Sequence, residues 1–146
     1  MYKSILLLLC LSAISCQNTS APQEAPSVPS DIRTRFQDFA DFYKAFHADS
    51  LYQVEHVNFP LEGLPAEADS ATIMQSTFRW QKADWTMHRG FNVEGSEFQQ
   101  DFLPLGDDLI IEKFVHPQSG WGIIRRFAKL DGEWYLIYYT GLNKIQ

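Results

Sequence analysis

Four histidines, His47, His56, His88 and His116, are the residues most able to carry chemistry in this chain. None pair at helical i, i+4 spacing or as a short His-x-His, so a metal site would need ligands gathered from distant positions, and no metal or other cofactor is expected. His47 stands near the end of an apolar-periodic stretch, where a cation is favoured by the negative end of a helix dipole. His116 precedes Pro117 and reads as a loop residue. Among the acids and bases, Glu112-Lys113 and Arg125-Arg126 read as ordinary charges on strand edges, and Asp107-Asp108 as turn chemistry. No Gly-x-Ser-x-Gly, phosphate-cradling glycine loop or dinucleotide fingerprint occurs. Four tryptophans, Trp80, Trp85, Trp121 and Trp134, could build an apolar or ring-stacking wall, since aromatic groups bring large contact area at low entropy cost. Core packing is the simpler reading for Trp134. Trp121 lies between Gly120 and Gly122, which would allow a ligand or another backbone to come close. Trp80, Trp85, Trp121 and Tyr139 are therefore the candidate ligand-binding residues.

The elements that must position these groups follow from periodicity. Between Asp31 and Ala48, Ile32, Phe36, Phe39, Tyr43 and Phe46 recur at four, three, four and three, with Phe42 widening the stripe, which predicts one amphipathic helix. Ser30 can cap it and Asp31 suits its positive end. So broad an aromatic face calls for a sheet as its partner. Leu51 to Phe59 has a strand-like end in Val57, Phe59 and Leu61, and Ser70 to Trp80 reads as a second, weaker helix. Trp85, Met87, Phe91 and Val93 alternate with polar residues as in a strand, interrupted on the inner face only by Arg89. Gly106-Asp107-Asp108 turns the chain into an apolar stretch over Leu109 to Val115. Two long runs, Trp121 to Leu130 and Glu133 to Leu142, are joined by Asp131-Gly132, the strongest short hairpin signal, because both central positions of a type I′ turn need positive φ. In the last run Trp134, Leu136 and Tyr138 share one face, and Tyr135, Ile137 and Tyr139 the other. A monomer would leave one of these faces partly wet, so homodimerisation through the outer face is expected.

The 146 residues, 45% hydrophobic, 14% aromatic and 21% charged, suit one globular domain with a real core. A formal net charge of −6 gives non-specific nucleic-acid binding no electrostatic support, so nucleic acid is not an expected partner. At the start, Lys3, the run Ile5 to Leu11 and the small residues Ser12-Ala13-Ile14-Ser15 before Cys16 read as an export signal. The run is too short for the roughly 20 residues of a membrane-spanning helix.

Ala13-Ile14-Ser15-Cys16 resembles the lipobox of bacterial lipoproteins, in which the thiol takes a diacylglyceryl group and the peptidase cleaves just before it. Leu7-Leu8-Leu9-Cys10 puts bulky Leu9 where a small residue is required. The resemblance implies residues 1–15 as signal peptide, Cys16 as the lipidated mature N-terminus, 16–30 as anchor and tether, and 31–146 as a single α+β domain. The other cysteine, Cys10, falls in the signal, so the mature domain forms no disulfides. The tether, rich in Gln, Ser, Thr, Ala and Pro, spans at most about 46 Å extended and about 20 Å as a coil. Processing removes Lys3 and no acid, leaving 11 basic against 18 acidic residues, a net of −7 that weakly repels anionic headgroups. The lipid therefore makes the membrane contact. Gln17-Asn18-Thr19-Ser20 lack the acidic run that resembles a surface-export signal in Bacteroidetes lipoproteins, which favours a periplasm-facing place in the cell envelope.

A packed N-terminal helix followed by a meander ending in Arg125-Arg126-Phe127-Ala128-Lys129-Leu130-Asp131-Gly132-Glu133-Trp134-Tyr135 resembles the nuclear transport factor 2-like superfamily. Val57-Asn58-Phe59-Pro60-Leu61 after the aromatic helix is similar to its Bacteroidetes lipoprotein members. The resemblance covers roughly Asp31 to the C-terminus. It implies an α+β fold in which one or more N-terminal helices pack in a strongly curved, mainly antiparallel sheet, a cone open at one end into a pocket. It implies no single activity. Ketosteroid isomerases and dehydratases of this kind use Asp, His and Tyr lining the cone, and Asp84, Glu112, His88, Tyr138 and Tyr139 are of the right types here, yet none matches a catalytic motif residue by residue. The expectation is thus a lipid-anchored, non-catalytic envelope module that binds a small ligand or a protein partner, with a small-molecule acid–base enzyme as the alternative.

Overall fold

A computed structural model describes residues 28–145. The expected signal peptide, the expected lipidation site Cys16 and the expected tether up to residue 27 lie outside the described residues. Among those described, no helix is long and apolar enough to cross a membrane.

The aromatic stripe forms as expected, but on two helices rather than one: α1 (Ser30–Arg35) and α2 (Gln37–Ala48). Phe36 breaks them with φ −130° and ψ 64°, without a proline or glycine to mark the place. Ser30 does not cap; it is the first helical residue, and the cap position falls on Pro29 with no side-chain bond. The whole stripe is nevertheless buried. The Phe39 ring lies 5.5 Å from Phe127 and 5.1 Å from Trp134, both edge-on, so the helical face is seated on a sheet. Asp49 then caps α3 (Ser50–Glu55), its carboxylate accepting from the Leu51 and Tyr52 amides.

The sheet contains β1 (Val57–Leu64), β2 (Arg79–Trp80), β3 (Gln99–Pro104), β4 (Leu109–His116), β5 (Trp121–Leu130), β6 (Glu133–Thr140) and β7 (Asn143–Lys144). Its order is β2-β1-β6-β5-β4-β3, with β7 on the end of β5. Only β1 and β6 run parallel. The result is an α+β domain whose few helices pack against a curved, open and mainly antiparallel sheet. Asp131 (φ 52°) and Gly132 (φ 91°) make the expected two-residue turn between β5 and β6. Strand β3 has little apolar pattern and ends in proline, as befits a sheet edge, and sequence reading passes over it.

Three further expectations are corrected. Trp85 to Val93 is not a strand: after a 3₁₀ turn at Lys82–Asp84 the chain runs irregularly to β3, and at His88 both backbone groups bond the Gln53 side chain instead of a ladder. Ser70 to Trp80 divides into a short helix α4 (Ser70–Gln75), which Asp69 caps, and strand β2. Tyr139 does not share the face of Tyr135. The pairing Phe127↔Leu136 is followed by Arg126↔Tyr138, so Ile137 is an extra residue, and such a bulge exchanges the faces of everything after it. Tyr138 then lies over Arg126 at 4.2 Å, while Tyr139 turns inward with Arg125.

Candidate functional site

The inner face of β4 and β5 carries a polar cluster in the middle of the core. Glu112 and Arg125, directly paired across the two strands, are 0% and 5% exposed, which overturns their reading as ordinary edge charges. The Arg125 Nη1 donates to Glu112 Oε2 at 3.2 Å. The Tyr43 hydroxyl on α2 donates to Glu112 Oε1 at 2.5 Å, and the Gln100 amide on β3 donates to the same oxygen at 2.7 Å and to the Tyr43 oxygen at 3.1 Å. Burial, and then the Glu112 charge beside it, push the Tyr43 hydroxyl well above the usual tyrosine range, so it stays a donor. The buried Glu112 carboxylate, with two neutral donors and one cation, is satisfied, whereas Arg125 Nε has no partner among the described residues.

A second network sits one helical turn away. Gln53, fully buried on α3, donates through Nε2 to the carbonyls of Phe46 (2.7 Å) and His88 (2.8 Å). Its Oε1 accepts from the His88 amide (2.7 Å) and the Trp85 indole (3.2 Å). One glutamine thus satisfies both backbone groups of His88 and fixes the Trp85 indole beside it. The His88 carbonyl also accepts from His47 Nδ1 at 2.8 Å. His47 is 3% exposed, and burial, with the Arg125 charge second, holds its pKa down to about 3. It is a neutral core histidine, not the cation at a helix end that its position suggests. His88 is lowered to about 3 by the same two causes and by His47.

Above Arg125 the inner face opens into a cavity of about 320 Å³. Phe91, Phe98, Phe114, Ile123 and Leu142 wall it, and His88, Arg89, Arg125 and Tyr139 supply its polar groups. Phe91 sits edge-on to Phe98 and Phe114, at 6.0 and 5.5 Å. Of the four residues singled out for binding, Tyr139 lines this cavity. Trp80 and Trp85 pack behind it: the Trp80 indole donates to the Tyr139 carbonyl at 3.0 Å, and His88 is held between the Trp85 and Tyr139 rings, 4.4 Å from each. Gly63 makes this packing possible, since a methyl group there would lie 1.8 Å from the Tyr139 carbonyl oxygen. Trp121 is not with them; it stands at the start of β5 with Lys144 Nζ 5.6 Å from its ring. The close neighbours at Gly122 are the chain's own Phe114 backbone and Ile145 side chain. Trp134 is core. Asp84 lies exposed in the 3₁₀ turn, and Tyr138 is on the outer side. Arg125, Phe91, Phe98 and Phe114 were not singled out for binding. Their only signal is that Arg125 and Glu112 fall on the apolar phase of two neighbouring strands.

Fold and site together define a small α+β domain with an apolar cavity on the concave side of its sheet, closed at one end by a buried ion pair. The chain resembles an NTF2-like protein from Bacteroides fragilis NCTC 9343, with 19% identity and a TM-score of 0.48 over 74% of this chain and 47% of that one. It therefore spans about half the length of that protein. It is also similar, with 11% identity and a TM-score of 0.32, to a protein of unknown function with a cystatin-like fold from Nostoc punctiforme PCC 73102, over 80% of this chain and 95% of the other. No protein-family model matches the chain, and no curated protein does.

Proposed function

We propose that this chain is a lipid-anchored envelope protein whose domain holds a small, mainly apolar ligand in the cavity on the inner face of the sheet, without transforming it. The cavity carries the reading: about 320 Å³, with three phenylalanine rings and Ile123 as walls, is at the small end of what ligand pockets offer. The acid–base alternative has less support. Glu112, the one carboxylate buried in the region, is committed to Tyr43, Gln100 and Arg125, and a base must be free to take a proton.

The cavity is tested with N-phenyl-1-naphthylamine, an uncharged dye that fluoresces when taken out of water, added to the mature chain made soluble by Cys16→Ser. Fluorescence should rise and saturate, and Ile123→Trp, which fills the cavity, should suppress the rise. No rise with the wild-type cavity, or an equal rise in the filled one, overturns the binding reading.

Anchoring rests on the sequence before and at Cys16, and on the 11 to 18 imbalance of bases and acids that leaves the lipid to do the attaching. Labelled fatty acid should enter the protein in cells and be lost in Cys16→Ser; retained label sinks this part. A periplasm-facing domain should resist protease added to intact cells, and its digestion there would put it on the surface. Pairing of two copies through the outer side of β6 belongs to the same proposal, supported by the half-buried Tyr135 and Tyr138 on that side. A constant monomer mass in sedimentation across a dilution series overturns it.

A further inference from the structure

Charge is distributed differently over the chain and over its cavity. The chain carries 18 acids against 12 bases, yet the cavity lining holds two arginines, Arg89 and Arg125, and no acid. Arg125 is buried and balanced by Glu112 at 3.2 Å, so that pair brings no net charge. Arg89 is exposed, and among the described residues no carboxylate lies within ion-pair distance of it. Glu97, next to the lining residue Phe98, is turned to His116 at 3.2 Å. His88, the remaining basic group of the lining, is held uncharged at neutral pH by burial and by the Arg125 charge. The lining therefore keeps one uncompensated positive charge. Phe91 and Leu142, which also line the cavity, are 46% and 37% exposed, so they and Arg89 mark its mouth.

Position decides what this charge can hold. An anionic group carried to the bottom of the cavity would lose its water close to the Glu112 carboxylate, at a cost that one shared guanidinium does not recover. At the mouth the same group keeps water on one side and meets a guanidinium fork that matches two oxygens on one atom. The apolar remainder then lies along Phe91, Phe98, Phe114 and Ile123. A cationic group finds no acid in the lining to meet it. One unpaired positive charge balances one negative charge, which suits a carboxylate better than the nearly doubly charged phosphate monoester.

Resting on the binding reading above, we propose that the cavity takes a compact apolar carboxylate, its apolar body inside and its carboxylate at the mouth against Arg89.

Two probes of the same shape test this by equilibrium dialysis against the mature Cys16→Ser chain: 2-naphthoate and its uncharged counterpart 2-naphthamide. In low salt the carboxylate should bind about fivefold more tightly than the amide, the gain expected of one ion pair that stays partly in water. Salt raised to about 0.5 M should shrink that preference, because a pair at the mouth is screened. Arg89→Gln should abolish it, the two probes then binding alike. Naphthoate should also displace N-phenyl-1-naphthylamine from the wild-type chain. Equal binding of the two probes, or tighter binding of the amide, overturns the proposal and leaves the binding reading standing. A preference that survives undiminished in Arg89→Gln, or naphthoate bound without displacing the dye, overturns it as well, since the carboxylate would then sit elsewhere. No binding of either probe or of the dye removes the binding reading together with the proposal.

Discussion

Gly63 is where the absence of a side chain matters most. A methyl group there would lie 1.8 Å from the Tyr139 carbonyl oxygen and 3.0 Å from the Trp80 indole nitrogen that bonds it. Neither neighbour can yield, because one is backbone in the β1–β6 ladder and the other is pinned to that backbone. Gly63→Ala should therefore cost about 3 kcal/mol, at the upper end of overpacking effects, measured as a lowered urea midpoint at unchanged slope. Gly95, with open space around it, is the control: Gly95→Ala strains only its own φ of 75° and should cost about 1 kcal/mol.

Among the elements, the irregular stretch from Met87 to Phe98 is the one whose position is owed to side chains. Its anchor is Gln53, which bonds both the amide and the carbonyl of His88 and the indole of Trp85. Gln53→Leu leaves three groups without a partner in the interior, the His88 amide, the Phe46 carbonyl and the Trp85 indole, while the His88 carbonyl keeps only His47. Unpaired buried groups cost about 1–3 kcal/mol each, though water entering a loosened segment would recover part of it. Hydrogen exchange should therefore quicken at His88 and its neighbours by more than at β5, because the segment opens locally before the sheet does. Equal acceleration in both would mean that Gln53 acts on the whole core. The same substitution should weaken dye binding, since His88 and Phe91 form part of the cavity.

For the whole molecule, the two neutral histidines set the response to acid. His47 and His88 are held near a pKa of about 3, against 6.5 when unfolded. Above pH 6.5 both states leave them uncharged and they contribute no pH dependence. As pH falls below 6.5 the unfolded chain takes up protons that the folded one refuses, so stability declines steadily from about pH 6.5 toward pH 3, on the order of 1 kcal/mol per pH unit for each histidine. Urea midpoints between pH 8 and pH 4.5 check the sign. His88→Gln should flatten the slope below pH 6.5, and an unchanged slope in that variant would place the loss with other groups.

Local pattern alone determined the aromatic stripe that packs on a sheet, the Asp131-Gly132 turn and the long strands on either side, because each is written in a few consecutive residues as a period or a turn requirement. Trp134 as core followed from the same alternation. The structure decided what depends on partners far away in the chain. A single extra residue at Ile137 reverses the faces of β6 and sends Tyr139 inward, a switch that the alternating aromatic run before it conceals. Glu112, 13 residues from Arg125, has the composition of a surface charge until β4 and β5 are laid side by side, when each becomes the reason the other can be buried. The stretch from Trp85 to Val93 has the alternation of a strand but joins no ladder, and the backbone of His88 at its centre is satisfied by Gln53, 35 residues away in the chain. Periodicity reports which faces avoid water; which polar group meets which inside depends on register, and register is a property of the assembled sheet.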